Sequence, residues 1–563
     1  MKKILRADMT SLRVFMEDPP PQYEWLGGRG LIAEIANRDV LPTCHPLGKS
    51  NKLIFAPGLL AGSRCPSAGR LSVGFKSPIT QGIKEANVGG TAGDKIGKLG
   101  IKAIILEGQP VGKKIYIVKV NKDGGEILPA DTLASLTNNK VVERLVEMHG
   151  KDVSIVTIGP SGEMGMATAA VACTDIEGRP ARFAARGGGG AVMGAKGVKA
   201  IVIDDAGTKP FPAKNNEAFQ KFVREYAEWV RENKVTTALR EYGTLGGLSW
   251  VSNINQSLPV RNFTSGVFEE ALRIGSRELV QSIKGKGSQF NQPCMPGCLV
   301  RCSNIICDQE GNYLTSGLNF ETAAMLGANL GINNFKTVAV LDKLCGDFGI
   351  DTIEIGVTLG ISVDAGLMNF GDGDRAIALV QEIGQGTTLG RILGQGAAIT
   401  AKVFGISRVP VVKGQGVPAH DPRVENGSGV TYCTSAMGPD HTSGLVMWRK
   451  GSSTEAIEAS REAQINIAIA DSLGLCIAAY TEATFPMVKT AEIVNAQFDT
   501  NLTYEDLKEM GKAMLRQERA FNLKAGIASS SDRLPEFFYE EPLPPSNLVF
   551  DVPNDEIDSF WDF

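Results

Sequence analysis

Three cysteines recur at every fourth position near the middle of the chain, in Cys294-Met-Pro-Gly-Cys298-Leu-Val-Arg-Cys302. Pro296 and Gly297 oppose a continuous helix, because proline lacks an amide donor and glycine is too flexible. We therefore expect a loop that carries Cys294, followed by a turn of helix that brings Cys298 and Cys302 round to it. Three thiolates that converge on a small volume favour a soft metal ion or an iron–sulfur cluster.

Two questions about this stretch stay open. Buried free cysteines also serve as small apolar residues. The spacing is not a common zinc pattern, and it lacks an adjacent fourth ligand. Cys307 is the nearest candidate for that ligand, and a distant cysteine is the other.

The cysteines, ten in all, cluster in the middle of the chain rather than spreading as a disulfide framework, which fits a reducing cytoplasm.

Composition narrows the class of protein. A chain of 563 residues, 43% hydrophobic and 21% charged, is an ordinary globular protein of several domains. A formal net charge of −4 gives no reason to expect a nucleic-acid surface or an anionic membrane. Without a run of eighteen apolar residues or an N-terminal signal pattern, we expect a cytoplasmic protein that does not span a membrane.

The apolar pattern changes along the chain. Short segments bounded by Gly, Pro or Asp predict strands at residues 52–56, 71–75, 103–106, 115–118, 154–158 and 200–203, with one clear helix at 139–148. Helical spacing follows at 216–240, 320–329, 336–348, 352–368, 374–382, 389–403, 455–470, 486–495 and 504–523. The pattern predicts an α+β protein with a domain boundary at residues 209–212 and a surface tail from Pro542.

Three glycine-rich segments lie in or beside the β-rich part, at residues 67–72, 85–90 and 184–196. Two carry an arginine, Arg70 and Arg186, and arginines beside exposed backbone N–H groups suit phosphate or another polyanion. None matches a nucleotide-binding fingerprint. Tight strand turns explain any one segment, but the three together favour a phosphate-bearing cofactor.

A six-residue pattern occurs twice, each time after a helical segment: Gly346-Asp-Phe-Gly-Ile-Asp351 and Asp471-Ser-Leu-Gly-Leu-Cys476. We call these the first and second corner motifs, because glycine typically ends a helix and turns the chain. A carboxylate at such a corner can accept hydrogen bonds from a planar heterocycle. Two unrelated helix ends are the alternative, but Cys476 could be the missing fourth cluster ligand.

Two further residues are candidates for catalysis. Glu321 begins an otherwise apolar helix, where its charge would also favour the helix dipole. His441 follows Asp440 in a loop and is one of four histidines, and a lone histidine is more often structural than catalytic.

Taken together, these segments resemble the aldehyde:ferredoxin oxidoreductases, tungsten or molybdenum enzymes with two pyranopterins. The resemblance runs along nearly the whole chain in the same order, and it includes residues 27–31 and 417–423. It implies an α+β fold with a β-sandwich-like base domain at 1–208 and two mainly helical domains at 213–412 and 413–563. The cofactors would lie between these domains.

The resemblance also implies a set of residues for each cofactor. A [4Fe–4S] cluster would be held by Cys294, Cys298, Cys302 and Cys476. The pterin phosphates and their bridging Mg²⁺ would be held by Arg70, Asn87 through its carbonyl, Gly89, Ala184, Ala185, Arg186 and Gly187. Asp351 would bind one pterin, and Asp471 with Leu475 the other. Glu321 and His441 match the family's proton-handling residues beside the metal.

Three positions depart from the family pattern: three residues rather than two separate the first two cysteines, Gly346 replaces a common Asp or Asn, and His420 replaces a common tyrosine. The resemblance therefore supports the cofactors better than the substrate.

The resemblance implies an oxidoreductase that interconverts an aldehyde and a carboxylic acid and passes electrons through the cluster to a ferredoxin or ferredoxin-like iron–sulfur subunit. Reduction of an aromatic acyl thioester on the same cofactor, and a non-catalytic electron-transfer subunit, are the alternatives. The choice of tungsten or molybdenum and a homo-oligomeric state stay open.

Overall fold

The computed structural model describes residues 2–481 and 483–563, and the first two hundred residues form two six-stranded sheets. The strands are β1 Lys3–Asp8, β2 Arg13–Glu17, β3 Leu53–Pro57, β4 Leu71–Lys76, β5 Ile83–Val88, β6 Ile101–Glu107, β7 Tyr116–Asn121, β8 Gly124–Pro129, β9 Ser154–Thr157, β10 Val171–Cys173, β11 Arg182–Ala184 and β12 Val198–Ile203. Five helices join them: α1 Gly28–Asp39, α2 Ala92–Lys98, α3 Asn138–His149, α4 Pro160–Glu163 and α5 Gly189–Ala195.

The two sheets have the same topology. Their strand orders are β2-β1-β6-β3-β4-β5 and β8-β7-β12-β9-β10-β11. In each sheet the first strand pairs in parallel with the last, while all the other neighbours pair antiparallel. Residues 3–107 and 116–203 are therefore an internal structural repeat, in which β5 corresponds to β11.

The sheets pack face to face, as the family resemblance implies for a β-sandwich-like domain. Leu5 and Phe55 of the first sheet share one buried cluster with Val118 and Val156 of the second. Helix α1 covers the outer face of the first sheet and α3 that of the second. The domain is thus buried on both faces of both sheets, which leaves the loops at the strand ends to form a site.

The rest of the chain is mainly helical. Its helices are α6 Asn216–Glu232, α7 Lys234–Tyr242, α8 Leu248–Trp250, α9 Ala271–Ile274, α10 Arg277–Lys284, α11 Phe320–Leu326, α12 Phe335–Phe348, α13 Thr352–Asp364, α14 Gly373–Gln385, α15 Thr388–Leu393, α16 Ala397–Phe404, α17 Asn426–Thr434, α18 Ser453–Leu473, α19 Thr490–Phe498, α20 Tyr504–Lys524, α21 Phe537–Glu540 and α22 Asn554–Asp558. A three-stranded sheet of β13 Gln289–Gln292, β14 Ser303–Cys307 and β15 Tyr313–Ser316 interrupts them, as does the hairpin of β16 Val411–Val412 and β17 Gln415–Gly416.

Three sequence predictions need correction. The helix expected over 216–240 breaks at Asn233, whose side chain accepts hydrogen bonds from the first turn of α7 and so starts a new helix. The helix expected over 389–403 breaks at Gly394 to Gly396. The tail beyond Pro542 is not confined to the surface, because Phe550 and Phe560 are buried against the helical core.

Within the described part of the chain, none of the helices combines the length and the apolar character that a bilayer crossing requires.

Candidate functional site

The cysteine stretch forms a series of turns, so the expected turn of helix is wrong. Gly297 and Arg301 have φ of 70° and 56°, a left-handed conformation that a right-handed helix does not contain. The amide of Cys298 donates to the carbonyl of Met295 over 3.3 Å, which closes one of these turns. The turns nevertheless bring the three thiols together: Cys294 hydrogen-bonds to Cys298 and interacts electrostatically with Cys302.

The thiol of Cys476 belongs to the same group. A hydrogen bond from Cys298, helped by Arg182 and Arg70, lowers the pKa of Cys294 to about 6. Burial, together with the neighbouring Cys294 and Cys476, raises the pKa of Cys302 to about 12. The four sulfurs therefore repel one another as thiolates, and a bound cationic centre would be needed to ionise them together.

Cys307 lies outside this group. It is five residues beyond Cys302 along β14, which at about 3.3 Å per residue places it roughly 16 Å away. Its side chain packs instead beside Gly287. Of the two candidates for a fourth ligand, only Cys476 is near the other thiols.

These thiols are not arranged for a single metal ion. Across residues 2–481 and 483–563, no three His, Cys, Asp or Glu side chains close on a point that could hold one ion. A zinc ion requires its sulfur ligands at about 2.3 Å. Four thiols grouped in this way are a donor set that would suit an iron–sulfur cluster.

Arg70 lies against the thiols. Its Nη1 is 4.0 Å from Cys476 Sγ, and its Nη2 donates to the carbonyl of Asn87 over 3.2 Å. A Cβ added at Gly89 would lie 3.4 Å from Cys294 Sγ and 3.8 Å from Arg70 Nη1. The glycine thus keeps open the space between the guanidinium and the cysteine stretch.

The second corner motif docks tightly on the base domain. Gly474 ends α18 with φ 82°, and its carbonyl accepts from the Arg70 amide over 3.2 Å. A Cβ at Gly58, just after β3, would lie 2.1 Å from both the amide nitrogen and the Cα of Gly474. The Cys476 amide then donates to the carbonyl of Ser67 over 3.0 Å. The position of this thiol is therefore fixed by backbone contacts.

Asp471 is buried at the start of this motif, and Leu475 is also buried. Burial and repulsion from Glu85 raise the pKa of Asp471 well above its usual range. Its nearest cation is Arg29, with Nη1 at 3.6 Å, and Arg29 itself makes a two-point ion pair with Glu518 at 2.7 and 2.8 Å. The carboxyl therefore has capacity for further hydrogen bonds.

The first corner motif docks on the second half of the repeat in the same way. A Cβ at Gly159, just after β9, would lie 2.1 Å from the carbonyl oxygen of Phe348. Asp351 accepts from the amide of Ile353 over 3.0 Å and from Arg186 Nε over 3.3 Å. Burial raises the pKa of Asp351, although Arg186 opposes this shift.

Arg186 joins several loops at this end. Its guanidinium donates to the carbonyls of Pro439 and Gly416, each over 2.5 Å. It follows Ala184, the last residue of β11, and Ala185. Gly187 comes next with φ 86°, and a Cβ there would be 2.5 Å from Lys84 Cγ. This segment therefore places an arginine and a left-handed glycine turn just beyond the end of β11.

Glu321 and His441 meet beside this arginine. Glu321 is 6% exposed, and its Oε2 accepts from the amide of Ala419 over 2.9 Å. Its Oε1 lies 3.3 Å from His441 Nδ1, but neither atom has an aligned hydrogen-bond partner among the described residues. The buried hydroxyl of Tyr432, on α17, likewise has none. Such unpaired buried atoms call for an explanation, and a bound ligand provides one.

Sequence reasoning missed several residues around Arg186. One is Asp440: burial alone would raise its pKa, but Lys84 and Arg186 hold that pKa far below its usual range. Lys84 lies inside strand β5, where no motif marks it. Tyr432 and Glu425 also have no motif. Only the position of His420 drew attention, as a departure from the family pattern.

Two sequence models of one protein family match most of the chain. The sequence model described as "Aldehyde ferredoxin oxidoreductase, N-terminal domain" matches residues 4–205, and that described as "Aldehyde ferredoxin oxidoreductase, domains 2 & 3" matches residues 221–559.

Two curated relatives are tungsten-containing aldehyde ferredoxin oxidoreductases. Those of Thermococcus kodakarensis and Pyrococcus furiosus are 31% and 32% identical to the chain, over 96% of it and 92% of each relative. A third relative, the aliphatic sulfonate oxidoreductase, WOR-like subunit, of Pyrococcus furiosus, is 27% identical over 98% of the chain and 92% of its own length.

A solved structure shares the fold. The active site complex BamBC of benzoyl coenzyme A reductase, in complex with 1,5 dienoyl-CoA, superposes with a TM-score of 0.82 at 18% identity. The match covers all of this chain and 93% of that chain. With both family models matched along its length and relatives above 30% identity, the chain belongs to the aldehyde ferredoxin oxidoreductase family, a family of oxidoreductases.

Proposed function

We propose that this protein interconverts an aldehyde and a carboxylic acid, using a tungsten or molybdenum bis-pyranopterin group and one [4Fe–4S] cluster. The observation that carries the proposal is that the duplicated N-terminal domain carries two regions with different chemical groups. One region gathers four thiols, two of which, Cys294 and Cys476, interact with Arg70. The other brings the unpaired Glu321 and His441 close to Arg186. The relatives' names, tungsten-containing aldehyde ferredoxin oxidoreductase, support the metal and the substrate class.

The residues near Arg70 would hold the cluster and the second pterin. Cys294, Cys298, Cys302 and Cys476 would ligate the cluster, since they are the four thiols that lie together. Asp471, with the buried Leu475, would bind a pterin through the hydrogen-bonding capacity of its carboxyl. Asp351 would bind the other pterin at the first corner.

The phosphates and Mg²⁺ would lie where the two repeats meet. Asn87, near the end of β5, and Ala184, at the end of β11, occupy corresponding places in the two sheets. Paired carbonyls suit a hard cation such as Mg²⁺. Arg70, Gly89 and the segment Ala185, Arg186 and Gly187 would then surround the phosphates with guanidinium and backbone N–H groups.

When bound, the metal–pterin group would supply the two-electron chemistry, and a cluster held by the four cysteines would supply one-electron transfer toward a ferredoxin or ferredoxin-like subunit. Oxidising an aldehyde to an acid takes one oxygen from water and releases two protons and two electrons. Glu321 would accept a proton at Oε1, while the amide of Ala419 holds Oε2 in place. His441 would hydrogen-bond a substrate oxygen through its unpaired Nδ1.

Retention of both Glu321 and His441 weighs against a non-catalytic electron-transfer subunit, which would need neither. Reduction of an aromatic acyl thioester on the same cofactor remains the second candidate, because the fold is shared with a benzoyl coenzyme A reductase over the whole chain.

Metal and substrate analysis tests the proposal. Anaerobically purified protein should contain tungsten or molybdenum, oxidisable pterin and about four irons per chain. A screen with a viologen dye should then compare aldehydes with aromatic acyl thioesters. Zinc as the sole metal, without pterin, would overturn the cofactor assignment, and turnover of thioesters alone would select the second candidate.

Two variants test the acid–base roles. Glu321→Gln and His441→Asn should each lower turnover by about a hundred- to ten-thousand-fold, with metal, pterin and iron unchanged. The exposed Glu228→Gln on α6 is the matched control and should turn over like the parent. Full turnover in both site variants would refute these roles.

A further inference from the structure

We propose that an ion pair between Lys84 of the base domain and Asp440 of the helical region holds the candidate acid–base residue His441 in place. In this role Lys84 is a positioning residue that acts on His441 through Asp440. The inference rests on the proposed function of His441, but the first part of its test needs no substrate.

Lys84 stands where the sheet pattern calls for an apolar side chain. It pairs with Phe75 of β4, and residues paired across two strands share a face of the sheet. That face is the inner one, because Phe75, Ala86 and Val88 all belong to the buried cluster between the two sheets. A lysine at such a position is costly unless it is paired, so Lys84 needs a specific partner.

The lysine reaches this partner past a glycine. Its stem runs beside Gly187, where a Cβ would lie 2.5 Å from Lys84 Cγ and 3.1 Å from its Cε. Its Nζ donates to Asp440 Oδ2 over 2.9 Å and to the carbonyl of Met437 over 3.1 Å. The side chains of Lys84 and Asp440 are 0% and 6% exposed. Because the pair is shielded from solvent, either charge would be costly to leave alone.

The two carboxylate oxygens of Asp440 have different partners. Oδ2 accepts from Lys84, whereas Oδ1 accepts from the amide of Thr442 over 3.1 Å and from its hydroxyl over 2.8 Å. The bond from the amide caps the short 3₁₀ turn His441–Ser443. Asp440 therefore connects strand β5 directly to the turn that carries His441.

The backbone just before this pair is held separately. Arg186 Nη1 and Gln415 Nε2 donate to the carbonyl of Pro439 over 2.5 and 3.0 Å. These bonds lie on the side of Asp440 away from the capped turn. The turn itself lies on the other side, so its position follows from the carboxylate that Lys84 holds.

His441 depends on this turn for its orientation. Its Nδ1 is 3.3 Å from Glu321 Oε1, but neither atom has an aligned hydrogen-bond partner in the part of the chain that the structure describes. A side chain without such a bond is oriented by its backbone and its packing, and here the backbone is the turn that Asp440 caps. Loosening the ion pair should therefore move His441 relative to Glu321.

Chemical labelling of the anaerobic holoenzyme tests the inference without a substrate. Diethyl pyrocarbonate modifies accessible imidazoles, and mass spectrometry of the digested protein gives a separate rate for each histidine. Lys84→Met should raise the labelling rate of His441 by up to about tenfold, as expected when a hydrogen bond between charged groups no longer holds the turn. The exposed His45 is the reference within the same molecule, and its rate should not change.

Lys199→Met is the matched control. Lys199 is also a fully buried strand lysine, with one carboxylate partner, Glu163, and one carbonyl partner, that of Leu136. Its loss should lower stability to a similar extent but leave the rate at His441 unchanged. Metal and iron contents, measured on the same samples, show whether a faster rate comes from loss of cofactor.

A double variant keeps the test decisive if Lys84→Met does not fold. Lys84→Met combined with Asp440→Asn leaves neither charge of the pair without its partner, and it should label His441 as fast as Lys84→Met alone. The two changes should not add, because the residues act as a pair.

The outcomes separate this inference from the proposed function. Faster labelling of His441 in a protein that turns over no aldehyde supports the positioning role and refutes the proposed substrate. If an aldehyde is turned over, Lys84→Met should lower turnover by up to about a hundredfold in the parent but cause no further loss in His441→Asn. An additive loss there, an unchanged labelling rate in both the single and the double variant, or an equal rise in Lys199→Met overturns the inference.

Discussion

Replacing Gly58 by alanine should separate the second corner motif from the base domain. The new Cβ would lie 2.1 Å from the Gly474 backbone, whereas ordinary contacts begin at 3.4 Å. One backbone must therefore retreat by about 1 Å, because close-packed interiors do not absorb such an overlap. Overpacking of this kind costs about 1–3 kcal/mol.

The displacement falls two residues before Cys476. Two backbone hydrogen bonds position the second corner motif on the base domain. The amides of Leu59 and Arg70 donate to the carbonyls of Ser472 and Gly474 over 3.0 and 3.2 Å. A shift of about 1 Å in a positioning element can cost about a hundredfold in rate. We therefore expect Gly58→Ala to lose both iron and turnover.

Gly159→Ala is the matched variant, since its Cβ would lie 2.1 Å from the Phe348 carbonyl at the first corner. It should lower stability by a similar amount but retain iron. Gly247→Ala is the control, because nothing lies within 4 Å of a Cβ there, and it should gain about 0.4–1 kcal/mol. The assay is thermal melting under anaerobic conditions with iron analysis. Full iron in Gly58→Ala, or equal iron loss in Gly159→Ala, would refute the reasoning.

Three further predictions concern the thiols and two buried charges. Cys476→Ser should abolish the paramagnetic signal of the reduced cluster, and Cys307→Ser should preserve it; the reverse result would assign the fourth ligand to Cys307. Glu518→Ala removes the two-point partner of the buried Arg29 and leaves it only Asp471, at 3.6 Å, so it should cost about 3–5 kcal/mol, measured as a fall in melting temperature that is absent if the pair is dispensable. Burial raises the pKa of Asp342 from 3.8 to about 6, so the charge that forms as the pH rises through this window destabilises the fold. Asp342→Asn should therefore gain stability over the parent between pH 4 and 6, by up to about 3 kcal/mol, and parallel melting curves across this range would disprove the shift.

Much of the secondary structure could be predicted because its signals are local. Strands such as β3 and β12 have short apolar runs between turn residues, and α20 shows helical spacing over its length. The internal repeat could not be predicted in this way. It depends on which strands pair, and β1 pairs with β6, nearly a hundred residues away. Strands β10 and β11, of three residues each, are too short to give a periodic signal.

The candidate site shows the same contrast between what the sequence could and could not predict. The resemblance selected Glu321 and His441, and the structure brings them within 3.3 Å. It could not reveal the left-handed Arg301, because a non-glycine residue gives no sign of that conformation. Nor could it show that His420 and Glu425 lie 3.1 Å apart, since both belong to an irregular segment, which is tied to α11 by the bond from the Ala419 amide to Glu321.

The two halves of the duplicated base domain share a fold but hold different chemical groups, so they can serve different roles. Each half offers the same glycine at the same strand end, yet one receives a corner that ends in a thiol and the other a corner that ends in a carboxylate. On the proposed function, electrons would depart through one half while protons would be exchanged through the other. Electrons and protons would then leave the site through different halves of the duplicated base domain.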